Sequence, residues 1–71
     1  MKTEAPKPRL IRRAEVIARV SLARSTIYKR IAAGEFPRPI PIGGGRVAWI
    51  QSDIDNWINE RLAEAGRDAA A

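Results

Sequence analysis

At 71 residues the chain has room for one domain and a small core, so its folded state is marginal when it stands alone. It contains neither cysteine nor histidine, which excludes disulfide staples, thiolate metal sites, and the commonest general base and zinc ligand. Lys and Arg number 13 against 8 Asp and Glu, a net charge of +5 that favours phosphate-bearing partners.

Residues 1–8 hold two prolines, two lysines and no apolar periodicity, and read as a disordered arm. Leu10-Ile11-Arg12 is short and β-capable. A first helix is expected over 13–19, with Val16, Ile17 and Val20 on one side. Val20-Ser21-Leu22 then makes a tight turn whose two apolar residues point inward. A second helix is expected over 24–33, because Ile27 and Ile31 stack four apart and Gly34 suits a left-handed terminator. Two short helices joined by so short a turn form a helix-turn-helix pattern.

Phe36-Pro37-Arg38-Pro39 cannot be helical, since the prolines lack donors and force extended backbone. Ile40-Pro41-Ile42 and Arg46-Val47-Ala48-Trp49-Ile50 flank Gly43-Gly44-Gly45 and read as a hairpin. Pro41 makes the first of these an edge strand. The last helix is expected to start at Ser52, whose hydroxyl would accept from the Asp55 N–H, with Asp53 and Asp55 at its positive end. Ile54, Trp57, Ile58, Leu62 and Ala65 form its packing stripe, and Gly66 stops it before a frayed tail over 66–71. The expected fold is mainly α with a small β-hairpin. It is a winged helix-turn-helix of three helices plus a glycine-tipped wing, ordered over 9–65.

Charge is unevenly distributed. From Lys2 to Arg46 the acids are Glu4, Glu15 and Glu35 alone, whereas from Ile50 onward Asp53, Asp55, Glu60, Glu64 and Asp68 outnumber Arg61 and Arg67. A nucleic-acid-facing side and a distal side would divide in this way. A helix entering the major groove needs small polar groups for close approach and a few long cationic side chains. Ser25, Thr26 and Lys29 meet that need, and Arg24, Tyr28 and Arg30 flank them within reach of phosphates. The competing reading is an ordinary solvated face. Gly44, Gly45 and Arg46 would make a wing tip laid along the backbone or minor groove; the competing reading is a plain flexible turn. No Lys-Thr pair follows these glycines to complete a nucleotide loop.

Trp49 and Trp57 occupy apolar positions and read as core. Ser25 and Thr26 have no base beside them, so no nucleophile is expected, and Asp53 with Asp55 read as helix-start acids. The chain is therefore expected to be no enzyme and to need no cofactor or metal. No apolar run approaches the roughly 18 residues of a membrane span, and the first nine residues lack a signal-peptide core. A cytoplasmic protein with no membrane partner is the expectation.

Several stretches together resemble the AlpA family of prophage regulatory proteins. They are Arg9-Leu10-Ile11-Arg12, Glu15-Val16, Arg24-Ser25-Thr26-Ile27-Tyr28, Gly34-Glu35-Phe36-Pro37-Arg38-Pro39, Gly44-Gly45-Arg46, Ala48-Trp49 and Trp57-Ile58. The resemblance spans about Arg9 to Leu62. Members are similar to excisionase and MerR-type winged-helix DNA-binding domains. The resemblance implies a recognition helix over 24–33, a wing over 42–47, and control of mobile-element genes or direct help in excision. One departure is Ala23, where the family carries serine or threonine. Loss of that cap should cost about 0.5–2 kcal/mol, with Ser21 and Ser25 as nearby hydroxyls.

The expected partner is double-stranded DNA, contacted by a transcriptional regulator that reads sequence. Two alternatives use the same fold: an architectural excision factor that bends DNA and recruits an integrase, and a protein-interaction adaptor. The adaptor would need an exposed apolar patch, and the sequence points to none. RNA polymerase is a further candidate partner. A domain this small reads few base pairs, so self-association on repeated sites is expected.

Overall fold

The computed structural model describes residues 8–66. Its elements are β1 (Leu10–Ile11), α1 (Arg13–Val20), α2 (Arg24–Ala32), β2 (Ile40–Gly43), β3 (Arg46–Ile50) and α3 (Gln51–Glu64). Three helices and a glycine-tipped hairpin make the winged helix-turn-helix that the sequence implies. Apart from Pro8 and Gly66, the arm and tail expected at 1–8 and 66–71 lie outside the described residues.

The main buried cluster takes one side chain from each of five elements and one from a loop. These are Ile11 of β1, Val16 of α1, Ile27 of α2, Trp49 of β3, Ile54 of α3 and Phe36 between α2 and β2. Ile17, Val20, Leu22, Tyr28, Ile31, Val47, Trp57 and Ile58 pack around them. Ala48 of β3, also fully buried, stands outside that cluster. The Val20-Ser21-Leu22 turn is therefore tight and inward-facing as expected. Ser21 closes α1 in the left-handed region at φ 59°, and its N–H donates to the Ile17 carbonyl at 2.9 Å.

α2 begins after Ala23, which is extended at φ −68°, ψ 155° and offers no side-chain cap. Neither Ser21 nor Ser25 replaces it: among the described residues no hydroxyl closes this end. The other end is closed by backbone alone. The Glu35 N–H reaches back to the Arg30 carbonyl at 2.8 Å and the Gly34 N–H to the Ile31 carbonyl at 3.0 Å, with Gly34 at φ +76°. This paired pattern is the Schellman closure, and it needs a residue that tolerates positive φ at Gly34.

The proline-containing connection from α2 to β2 is pinned by both tryptophans. The Trp49 indole N–H donates to the Pro37 carbonyl at 2.9 Å, and that of Trp57 to the Glu35 carbonyl at 2.9 Å. Between them Phe36 is 5% exposed and meets Trp57 edge-on, ring centres 4.9 Å apart. An extended segment with prolines cannot satisfy its carbonyls in a ladder, so indole donors do so instead. Trp49 is fully buried, while Trp57 is half-buried.

The sheet has three strands in the order β1-β3-β2, all antiparallel. β2 is an edge strand, as Pro41 requires. Gly43 pairs with Arg46 across a two-residue turn in which Gly44 and Gly45 sit at φ 61° and 73°. Positive φ at both central residues is the type I′ geometry, whose twist matches the strands.

Two expectations fail at α3. Ser52 does not cap it: Ile50 is the N-cap, and Ser52 lies inside the first turn. β3 runs straight into the helix, and the Gln51 N–H is satisfied by the Arg9 carbonyl at 2.7 Å across the β1–β3 pairing. The first N–H of the helix is thus met by the backbone of the neighbouring segment, and no side chain caps this end. Ala65 is not part of the packing stripe; it follows the helix end and is exposed.

Leu10 pairs with Ile50 and Ile40 with Ala48, so these four share the sheet face opposite Ile11, Val47 and Trp49. Leu10 is 49% exposed, and Ile42, further along β2, is 41% exposed. Leu10 and Ile42 are thus individually exposed, but Ala48 on the face that Leu10 shares is fully buried, so no continuous apolar strip forms. Alternation cannot be read from strands of two and four residues.

Candidate nucleic-acid interface

Burial of Ile27 orients α2. At 100° per residue, Ser25 and Lys29 fall opposite Ile27, and both are exposed. Thr26 and Arg30 occupy one flank and are half-exposed; Arg24 and Tyr28 occupy the other. The Tyr28 ring meets Trp49 edge-on, centroids 6.4 Å apart, and the Arg24 guanidinium lies 5.9 Å from the Tyr28 ring centre. Tyr28 thus anchors a flank while its neighbour Arg24 stays exposed. α2 carries Arg24, Lys29 and Arg30 and no acid, so nothing on the helix offsets their charge. Its uncapped first turn leaves N–H groups free to meet an anion.

Gly44, Gly45 and Arg46 stand exposed at the hairpin tip, as a wing requires. The hollow that Arg46 lines includes no α2 cation among the described residues. There Arg46 stands beside Arg12 and Arg13 around a cavity of about 370 Å³. Those two arginines were not singled out from sequence. The available signal was a pair of cations directly after a β-capable dipeptide, and only the pairing of β1 with β3 gives that signal a place.

Carboxylates occupy the opposite region. A concavity of about 960 Å³ between the α2–β2 connection and α3 is lined by Glu35, Asp53, Glu60 and Glu64 against Arg30 and Arg61. Arg30 therefore borders acidic surface as well as α2. Arg61 is paired with Glu64 at 2.8 Å, and its guanidinium lies 4.9 Å from the Trp57 ring centre. Arg19 joins Glu15 at 2.9 Å to Asp55 at 3.1 Å, tying α1 to α3. Such exposed pairs stabilise by about 0–1 kcal/mol each. Their larger consequence is to neutralise the cations on the α3 side. Among the described residues no carboxylate pairs with Arg12, Arg13, Arg24, Lys29 or Arg46.

No helix among the described residues is long and apolar enough to cross a membrane. The family model described as prophage CP4-57 regulatory protein (AlpA) matches residues 9–62. An uncharacterized protein, ORF88, of Enterobacteria phage P4 is 43% identical over 63 residues, covering 86% of this chain and 72% of that protein. The DNA-binding transcriptional activator AlpA of Escherichia coli is 32% identical over 59 residues, covering 75% of this chain and 84% of that protein. The family match takes in every strand and the two helices of the helix-turn-helix, and nearly all of α3, so this chain belongs to the AlpA family of prophage regulatory proteins.

Proposed function

We propose that this chain is a DNA-binding transcriptional regulator of a prophage or mobile element. It inserts α2 into the major groove and lays the wing on the adjacent backbone or minor groove. The observation that carries this reading is the sorting of charge: among the described residues no carboxylate pairs with the cations of α2 and the wing, while α3 gathers the acids and neutralises the cations near it. Ser25 and Lys29 take the groove-facing position, Arg24 and Thr26 flank them, and the free N–H groups of the first turn of α2 add a phosphate contact. The name of the relative from Escherichia coli, a DNA-binding transcriptional activator, supports the same reading.

A module of this size reads few base pairs, so useful specificity comes from several copies on repeated sites. Selection of binding sites from random duplex DNA should return repeated half-sites. With about four phosphates neutralised, log K should fall against log salt with a slope near −3.6, at roughly −0.9 per phosphate. Arg24→Ala and Lys29→Ala, both distant from the buried Ile27, should fold normally. Whichever side chain reads a base should lose about 1–3 kcal/mol on its own site and relax one position of that site. Absence of duplex binding at low salt would refute the proposal, and unchanged affinity in both variants would move the reading surface off α2.

A further inference from the structure

We propose that Arg12, Arg13 and Arg46 form a clamp in which the start of α1 and the wing together hold one phosphodiester of the duplex backbone. The inference rests on the DNA-binding reading and adds to it a site away from the recognition helix. The antiparallel register creates the clamp. Leu10 pairs with Ile50 and Ile11 with Trp49, so the chain leaving β1 runs alongside β3 in the opposite direction, toward Arg46. α1 begins at once, at Arg13, and its first turn is thereby set beside the wing.

The three arginines surround a cavity of about 370 Å³, whose other walls include Ile17, Val47 and Gly45. Among the described residues no carboxylate lines it. Glu15, the acid of this helix turn, is instead bonded to Arg19 at 2.9 Å. Three like charges gathered around one hollow repel one another, and an anion seated among them reverses the sign of that interaction. The guanidinium fork matches the paired oxygens of a phosphodiester. Arg12 is the N-cap of α1, and among the described residues no carboxylate pairs with its guanidinium. The larger concavity, lined by four carboxylates and two arginines, has the opposite character and would exclude the same group. Of these two hollows, the one that adjoins the wing is the one matched to phosphate.

The test compares the parent with Arg12→Ala/Arg13→Ala, with Arg46→Gln, and with all three changes together. Duplex binding is followed by fluorescence anisotropy across salt, with thermal melts to show that each variant folds. Arg46→Gln changes an exposed side chain at the first position of β3, beside the turn, and keeps the test open if the double variant melts early. If one phosphate is shared, the triple variant flattens the salt slope by about 0.9, and neither the double nor the single variant flattens it by more. Between about 50 and about 200 mM salt, the triple variant then loses about 3.5-fold less affinity than the parent does. Duplexes carrying one neutral methylphosphonate each should contain one backbone position that weakens the parent and leaves the triple variant indifferent. Normal duplex binding by the triple variant with an unchanged slope would refute the clamp and leave the DNA reading standing. A change well above 0.9 in the triple variant would also refute it, since separate phosphates would then be held. Failure of the parent to bind duplex at low salt would remove the DNA reading itself.

Discussion

Replacing Trp57 by alanine tests whether α3 is a structural brace rather than a DNA-facing element. The indole does three things: it packs a half-buried ring beside the core, meets Phe36 at 4.9 Å, and donates to the Glu35 carbonyl at 2.9 Å. Half of an indole's burial is about 100 Å², or about 2.5 kcal/mol at 25 cal/mol per Å². The hydrogen bond adds about 1 kcal/mol net and the aromatic pair about 1 kcal/mol. These contributions overlap, so the expected loss is about 3–4 kcal/mol, close to the low end of full-core aromatic deletions. A domain of this size holds about 3–5 kcal/mol in total, so the variant should populate the unfolded state heavily at room temperature. Trp57→Phe keeps much of the ring and loses the donor; it should cost about 1 kcal/mol and lower Tm by roughly 4–8 °C. Melting by circular dichroism with and without duplex DNA measures both. A Trp57→Ala protein that melts like the parent yet fails to bind would refute the reasoning, because Trp57 would then face the nucleic acid.

Ala23→Ser should raise stability by about 1 kcal/mol, because Ala23 already has the extended N-cap backbone and lacks only the oxygen; an unchanged Tm would mean that the first turn of α2 does not accept a cap. Gly44→Ala should lower stability by about 1–2 kcal/mol, since φ is +61° while the added carbon meets no atom within 4 Å. Denaturant titration separates that backbone strain from any clash, and a neutral result would show that the turn relaxes out of the type I′ form.

The helix-turn-helix and the hairpin were legible because their signals act over a few residues. Gly34 ends α2, Pro37 and Pro39 forbid helix, and two adjacent glycines permit a turn with positive φ. The pattern of Ile27, Ile31, Ser25 and Lys29 on α2 needed only the helical period. What stayed hidden depends on partners about 40 positions apart. The pairing of Leu10-Ile11 with Trp49-Ile50 decides that α3 starts at Gln51 without the Ser52 cap, and that Arg12 and Arg13 reach Arg46. It also turns Leu10 outward, an exposure that the sequence did not announce. A two-residue strand has almost no period of its own; its register follows from which face the finished core can bury. The indole bonds to Glu35 and Pro37 are of the same kind. The sequence by itself determined that both tryptophans would be apolar anchors, and only closure of the chain decided which orphan carbonyls their N–H groups would meet.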